Sequence, residues 1–106
     1  MRILVLGIAV AVSLFAAPAE LRKAEELYQQ TRYREALQAM QPISDNDTGA
    51  FSLAGRASFG MADYRKAIDY FEKWVQLDSS SSSARHWLGR AFGRRAETAF
   101  PLAAPN

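Results

Sequence analysis

The sequence predicts an all-α protein of stacked, antiparallel helix hairpins, and three observations lead there. The first is a repeat: Tyr33-Arg34-Glu35-Ala36-Leu37 returns as Tyr64-Arg65-Lys66-Ala67-Ile68, with Tyr33 and Tyr64 31 positions apart. The second is apolar residues recurring at three- and four-residue spacing through five successive segments, the period of one helix face. The third is a register of small residues at Ala24, Gly55 and Gly89, the first two followed by Ala36 and Ala67 on the next helix. Glycine inside a helix costs about 1 kcal/mol relative to alanine, so small residues in register imply that helix backbones approach closely there. Units of this length bury their apolar faces only against neighbours, and a stack of them leaves an open, elongated surface rather than a closed pocket.

The chain of 106 residues is 49% hydrophobic and 23% charged, the profile of one globular module. Its front end reads differently. Arg2 precedes an uncharged run from Ile3 to Ala17, which leads into Ala17-Pro18-Ala19. A positive start, an apolar middle and a small-x-small exit are the parts of a secretory signal. Residues 1–19 are therefore expected to be a signal peptide cleaved after Ala19. The rival is an uncleaved anchor, but crossing a bilayer takes about 20 apolar residues and this run is shorter. With no cysteine in the chain, a lipid-modified N-terminus, disulfides and thiolate metal sites are all excluded. Loss of Arg2 leaves the mature part within one charge of neutral, so nucleic acid is not an expected ligand.

The first helix runs from Glu20 to Gln30, with Leu21, Ala24, Leu27 and Tyr28 inward and Glu25, Glu26 and Gln29 outward. After a turn at Thr31 and Arg32, the second carries Ala36, Leu37 and Met40 on one face and stops early, because Pro42 opposes a helical Gln41. Asp45 to Gly49 supplies loop and capping residues. The third helix, from about Ala50 to Met61, turns Phe51, Ala54, Gly55, Ser58 and Phe59 inward. The fourth begins near Tyr64 and carries the strongest stripe, Ala67, Ile68, Phe71, Trp74 and Val75, closing at Leu77-Asp78. The serine run Ser79 to Ser83 reads as a turn whose last serine caps the fifth helix, with a flexible low-complexity linker as the alternative. That helix turns Ala84, Trp87, Leu88, Ala91 and Phe92 inward and ends near Ala99, since Pro101 restricts Phe100.

Read together, these residues resemble the tetratricopeptide repeat (TPR) family. Its aromatic, Leu-Gly and Tyr pattern on the first helix of a unit, then Ala and aromatics on the second, is matched by Phe51, Ala54-Gly55, Phe59, Tyr64, Ala67, Phe71 and Trp74. A third unit matches through Trp87, Leu88-Gly89, Ala91 and Phe92. Serine stands at Ser79 in place of the family's closing proline, Pro42 sits earlier than usual, and the first unit is three residues short. The resemblance implies a right-handed superhelical stack of about two and a half units over residues 20–99, divided as 20–47, 48–81 and a partial 82–99. Residues 100–106 are expected to be a disordered tail. The third unit lacks a second helix, so either the fifth helix caps the array or the chain is a fragment of a longer one.

In stacked hairpins the first helix of each pair lines the concave side. Counting by the repeat puts Glu25, Arg56 and Arg90 in one stripe across that groove, with Arg94 one turn beyond Arg90. Ser52 and His86 form a second stripe, and Tyr28 and Phe59 an aromatic third that reads as core. Glu25, Ser52, Arg56, His86, Arg90 and Arg94 are thus the candidate peptide-binding residues, in a groove acidic at one end and basic at the other that suits an acidic segment. The alternative is an ordinary solvated face with a weak Glu25–Arg56 pair. Some family members clamp a peptide's terminal carboxylate with Lys, Asn and Arg. Here the matching places hold Leu21, Glu25, Leu53, Ser83 and Trp87, so no such clamp is present.

Catalysis has little to stand on. His86 is the single histidine, cysteine is absent, and the serines sit in a polar turn without a nucleophile elbow. One histidine with scattered carboxylates offers no metal-ligand spacing. Gly89-Arg90-Ala91-Phe92-Gly93 has small-xxx-small spacing, but its arginines argue against a membrane helix. The expectation is a non-enzymatic, exported bacterial adaptor or assembly factor, periplasmic or secreted, with no cofactor and with a protein or peptide partner. The alternative is a structural module that self-assembles through its incomplete third unit.

Overall fold

The computed structural model describes residues 19–99. Ala19 already belongs to the first helix; the remainder of the expected signal peptide and the expected 100–106 tail lie outside the described residues. Every regular element described is a helix: α1 over residues 19–29, α2 Tyr33–Met40, α3 Thr48–Gly60, α4 Tyr64–Leu77 and α5 Ser82–Ala99. Neighbours pack: α3 lies against both α2 and α4, and α4 carries α5. None of these helices is long and apolar enough to cross a membrane.

The sequence repeat is also a repeat of turn geometry. Thr31 and Ala62, again 31 positions apart, both adopt left-handed backbone with φ of 60° and 61°. At the end of α1 the Arg32 amide donates to the Leu27 carbonyl and Thr31 to Tyr28, both at 2.9 Å. At the end of α3, Asp63 donates to Ser58 and Ala62 to Phe59, also at 2.9 Å. This is the same pair of bonds, six-to-one around five-to-two, that satisfies the orphan carbonyls of a helix C-terminus. Two hairpins, α1–α2 and α3–α4, are therefore folded by one device.

Caps set the helix starts. Asp47 Oδ1 accepts from the Ala50 amide at 3.0 Å, Asp63 Oδ1 from Lys66 at 3.3 Å, and Ser81 Oγ from Ala84 at 3.1 Å. The cap of α5 is thus Ser81 and not Ser83, the expected last serine: each serine of the run has the same chemistry, and only the one just before the first helical turn can reach the open amide. Helix α2 has no side-chain cap; instead the Arg32 guanidinium grips Glu35 in its first turn, with Nε at 2.9 Å from Oε1. The hydrogen bond from Arg32 holds the exposed Glu35 carboxyl below its usual range. Helix α2 ends at Gln41, which is extended ahead of Pro42 as expected.

The core is serial. One cluster joins Ala24, Met40, Ala50, Leu53 and Ala54; a second joins Ala67, Ile68, Phe71 and Ala91. Helix α3 separates them and is buried nearly all round, from Ala50 through Ser58 with only Ser52 and Arg56 partly open. A methyl group at Gly55 would sit 2.3 Å from Cε1 of Phe71, so the expected notch exists and an aromatic ring fills it. Helix α5 departs from expectation. Only Ala84 and Ala91 are buried; Trp87 and Leu88 are partly so, and Phe92 is 46% exposed. A methyl group at Gly89 would meet nothing within 4 Å, because no described element packs on that side of α5.

Candidate interaction surface

The helix surface carrying the expected stripe is built from arginines laid on aromatic rings. The Arg56 guanidinium lies over Tyr28 at 5.0 Å from its centroid. One unit on, Arg90 lies over Phe59 at 5.0 Å and over Trp87 at 4.5 Å. Arg94 lies over Tyr64 at 5.4 Å. Tyr28 and Phe59 are repeat-related, as are Arg56 and Arg90, so the first two contacts are one arrangement occurring twice. A guanidinium over a ring face is drawn by the ring's quadrupole, worth about 0.5–1 kcal/mol at exposed sites. It also presents its N–H edge outward in a fixed plane.

Charge compensation is uneven along the row. Arg56 Nη2 is 3.8 Å from Glu25 Oε2, with the arginine side chain 23% exposed, so the expected inter-helix pair forms at long range. Arg94 Nε is 3.3 Å from Glu97 Oε2 within α5. Among the described residues Arg90 has no carboxylate within 4 Å. The row therefore holds one uncompensated guanidinium, Arg90, between the paired Glu25–Arg56 and Arg94–Glu97.

Four of the six expected residues, Glu25, Arg56, Arg90 and Arg94, thus belong to this ring-backed row. Ser52, which is partly open, and His86, which is exposed, join none of the described side-chain hydrogen bonds or ion pairs with it. Tyr28 and Phe59, expected as core, are partly buried; each packs against a core cluster and carries a guanidinium over its ring. Sequence reasoning missed Trp87 and Tyr64 as platforms. The Phe59 ring meets Trp87 edge-on at 5.5 Å and Tyr64 at 5.3 Å, so these rings hold one another in place. A usable signal was present: Arg90 and Arg94 stand three and seven positions after Trp87, the spacing of one helix face.

Among the described residues no group of three or more His, Asp or Glu is placed to hold a metal ion. No family model matches the chain, and no curated protein matches it either.

Proposed function

We propose that the chain is an exported, TPR-like adaptor or assembly factor that holds an acidic segment of a partner protein across the ring-backed arginine row. The observation that carries this reading is the doubled arrangement of Arg56 on Tyr28 and Arg90 on Phe59, with only the first neutralised. Planar guanidinia fixed by rings suit bidentate capture of carboxylates, since little side-chain freedom is lost on binding. Hairpins with one turn geometry and a serial core support a superhelical repeat stack with α1, α3 and α5 on its concave side. The Arg2 start and the apolar run before Ala19 support export to the periplasm or beyond. The chemistry needed is binding alone, without cofactor or catalytic residue.

The test is capture from the producing cell's envelope fraction, with the mature chain and its Arg56→Glu/Arg90→Glu variant as baits. A protein retained by the first and lost from the second, at unchanged helicity by circular dichroism, supports the reading. Equal retention by both removes the arginine row from it.

A second reading is self-assembly, favoured by the open Gly89 and the exposed Phe92 on one side of α5. Light scattering at micromolar concentration separates the two. A dimer abolished by Phe92→Glu supports assembly, whereas a monomer at all concentrations excludes it.

A further inference from the structure

A second polar surface lies on the other set of helices. Helices α2 and α4 do not pack directly on each other; α3 packs on both, and an open cleft of about 550 Å³ is left between them. That volume falls within the roughly 300–1,000 Å³ of ordinary ligand sites. From α2 and its C-cap come Arg34, Leu37, Gln38 and Gln41; from α4 come Lys66 and Tyr70, and Met61 closes the turn end. None of these belongs to the arginine row.

The lining is cationic and its polar groups are uncommitted. No carboxylate lines the cleft, and among the described residues neither Arg34 nor Lys66 has an acidic partner within 4 Å. Of the carboxylates nearest in sequence, Glu35 is held by Arg32 and Asp63 accepts from the Lys66 amide, while Asp69, three positions after Lys66, is exposed and does not line the cleft. Arg34 and Lys66 stand in the first turns of α2 and α4. Helices that follow one another through short loops alternate in direction, so α2 and α4 run the same way and both cations mark one end of the cleft. The floor is firm: Leu37 and Tyr70 pack against the first core cluster, and the Tyr70 ring sits 6.4 Å from Phe51.

The shape and the amides select the occupant. Arg34, Gln38 and Gln41 follow one another at i, i+4 and i+7 along α2, a row about 10 Å long. About three extended residues cover that distance. Each glutamine amide offers both a donor and an acceptor, which matches a peptide backbone; a phosphate could use only the donors. We propose that this cleft is a second docking site, taking a short extended peptide with carboxylate side chains at the Arg34–Lys66 end and an apolar side chain against Leu37 and Met61. It would let the chain hold two segments at once, one on each helix set. The proposal stands independently of the arginine row.

The experiment titrates the 15N-labelled full chain with an acetylated pentapeptide alternating glutamate and leucine. Inorganic phosphate and the lysine–leucine counterpart run as parallel arms. Expected are shift changes centred on the Gln38 and Gln41 side-chain amides and on Lys66 and Tyr70. Arg34→Glu/Lys66→Glu should weaken binding at least tenfold, Gln38→Ala/Gln41→Ala several-fold, and Arg90→Glu should leave it within twofold. The substituted side chains are all exposed, and circular dichroism checks that each variant stays folded. Shifts centred instead on Arg56 and Arg90, an equal response to phosphate, or no saturable shift with the acidic peptide would each overturn the proposal. So would a doubly reversed variant that binds as the wild type does.

Discussion

Gly55 and Gly89 occupy equivalent places in the repeat, yet the structure gives them opposite surroundings. Alanine at Gly55 would drive a methyl group into the Phe71 ring, and Phe71 is itself fully buried with no free direction to yield. Overpacking of that kind costs about 1–3 kcal/mol. Alanine at Gly89 meets open space and gains the helix propensity that glycine lacks, about 1 kcal/mol. Gly55→Ala should therefore lower the melting temperature and Gly89→Ala raise it, read by thermal denaturation of the two variants side by side. Two shifts of the same sign would refute this account of the notch. The small-residue register was legible in the sequence, because a glycine inside a helix needs a reason. Whether the reason is met was not legible, since that depends on a neighbour the local pattern does not encode. Phe92 failed for the same cause: helical spacing says which residues share a face, and a face without a partner stays in water.

The hairpin turn is the element on which the repeat depends, and it is built with unfavourable residues. Thr31 and Ala62 hold left-handed backbone that costs a non-glycine residue roughly 1–2 kcal/mol. Glycine at Ala62 would relieve that strain, against an entropic penalty of about 0.4–1 kcal/mol from the more flexible unfolded chain. Ala62→Gly should therefore stabilise the protein by roughly 0.5–1 kcal/mol, measured as a higher urea midpoint at unchanged slope. A lower midpoint would mean that the Ala62 methyl makes contacts worth more than the strain. The sequence announced a turn at this place through the repeated Tyr-Arg start that follows it. It could not announce the turn's type, because neither threonine nor alanine is the glycine that normally marks a left-handed cap. The helix end before Pro42 and a capping loop between Asp45 and Gly49 were readable; the Asp63 cap went unremarked, and the start of α5, set among interchangeable serines, was misplaced by two residues.

Across the whole molecule, two core clusters in series make stability a nearest-neighbour property, and Trp87 is where the last layer is attached. Its ring lies 5.7 Å from Phe71 and 5.5 Å from Phe59, and it carries Arg90 on one face. The other tethers of α5 are smaller: the two buried alanines Ala84 and Ala91, and the partly buried Leu88. The arginine row across layers shares the dependence, because Arg90 can sit over Phe59 only while α5 is docked. Neither Trp87's bridging role nor the α2–α4 cleft could be read beforehand, since periodicity orients each helix toward the core but does not fix the distance between helices that are not consecutive. A fully buried tryptophan costs about 3–5 kcal/mol on truncation to alanine; with Trp87 partly exposed, about 2–3 kcal/mol is expected. In a serial core that loss should fall locally. Native-state hydrogen exchange on Trp87→Ala should show the amides of α5 losing protection while those around Leu53 and Ala54 in α3 keep theirs. Protection lost evenly from α2 to α5 would show one cooperative globule instead of coupled layers.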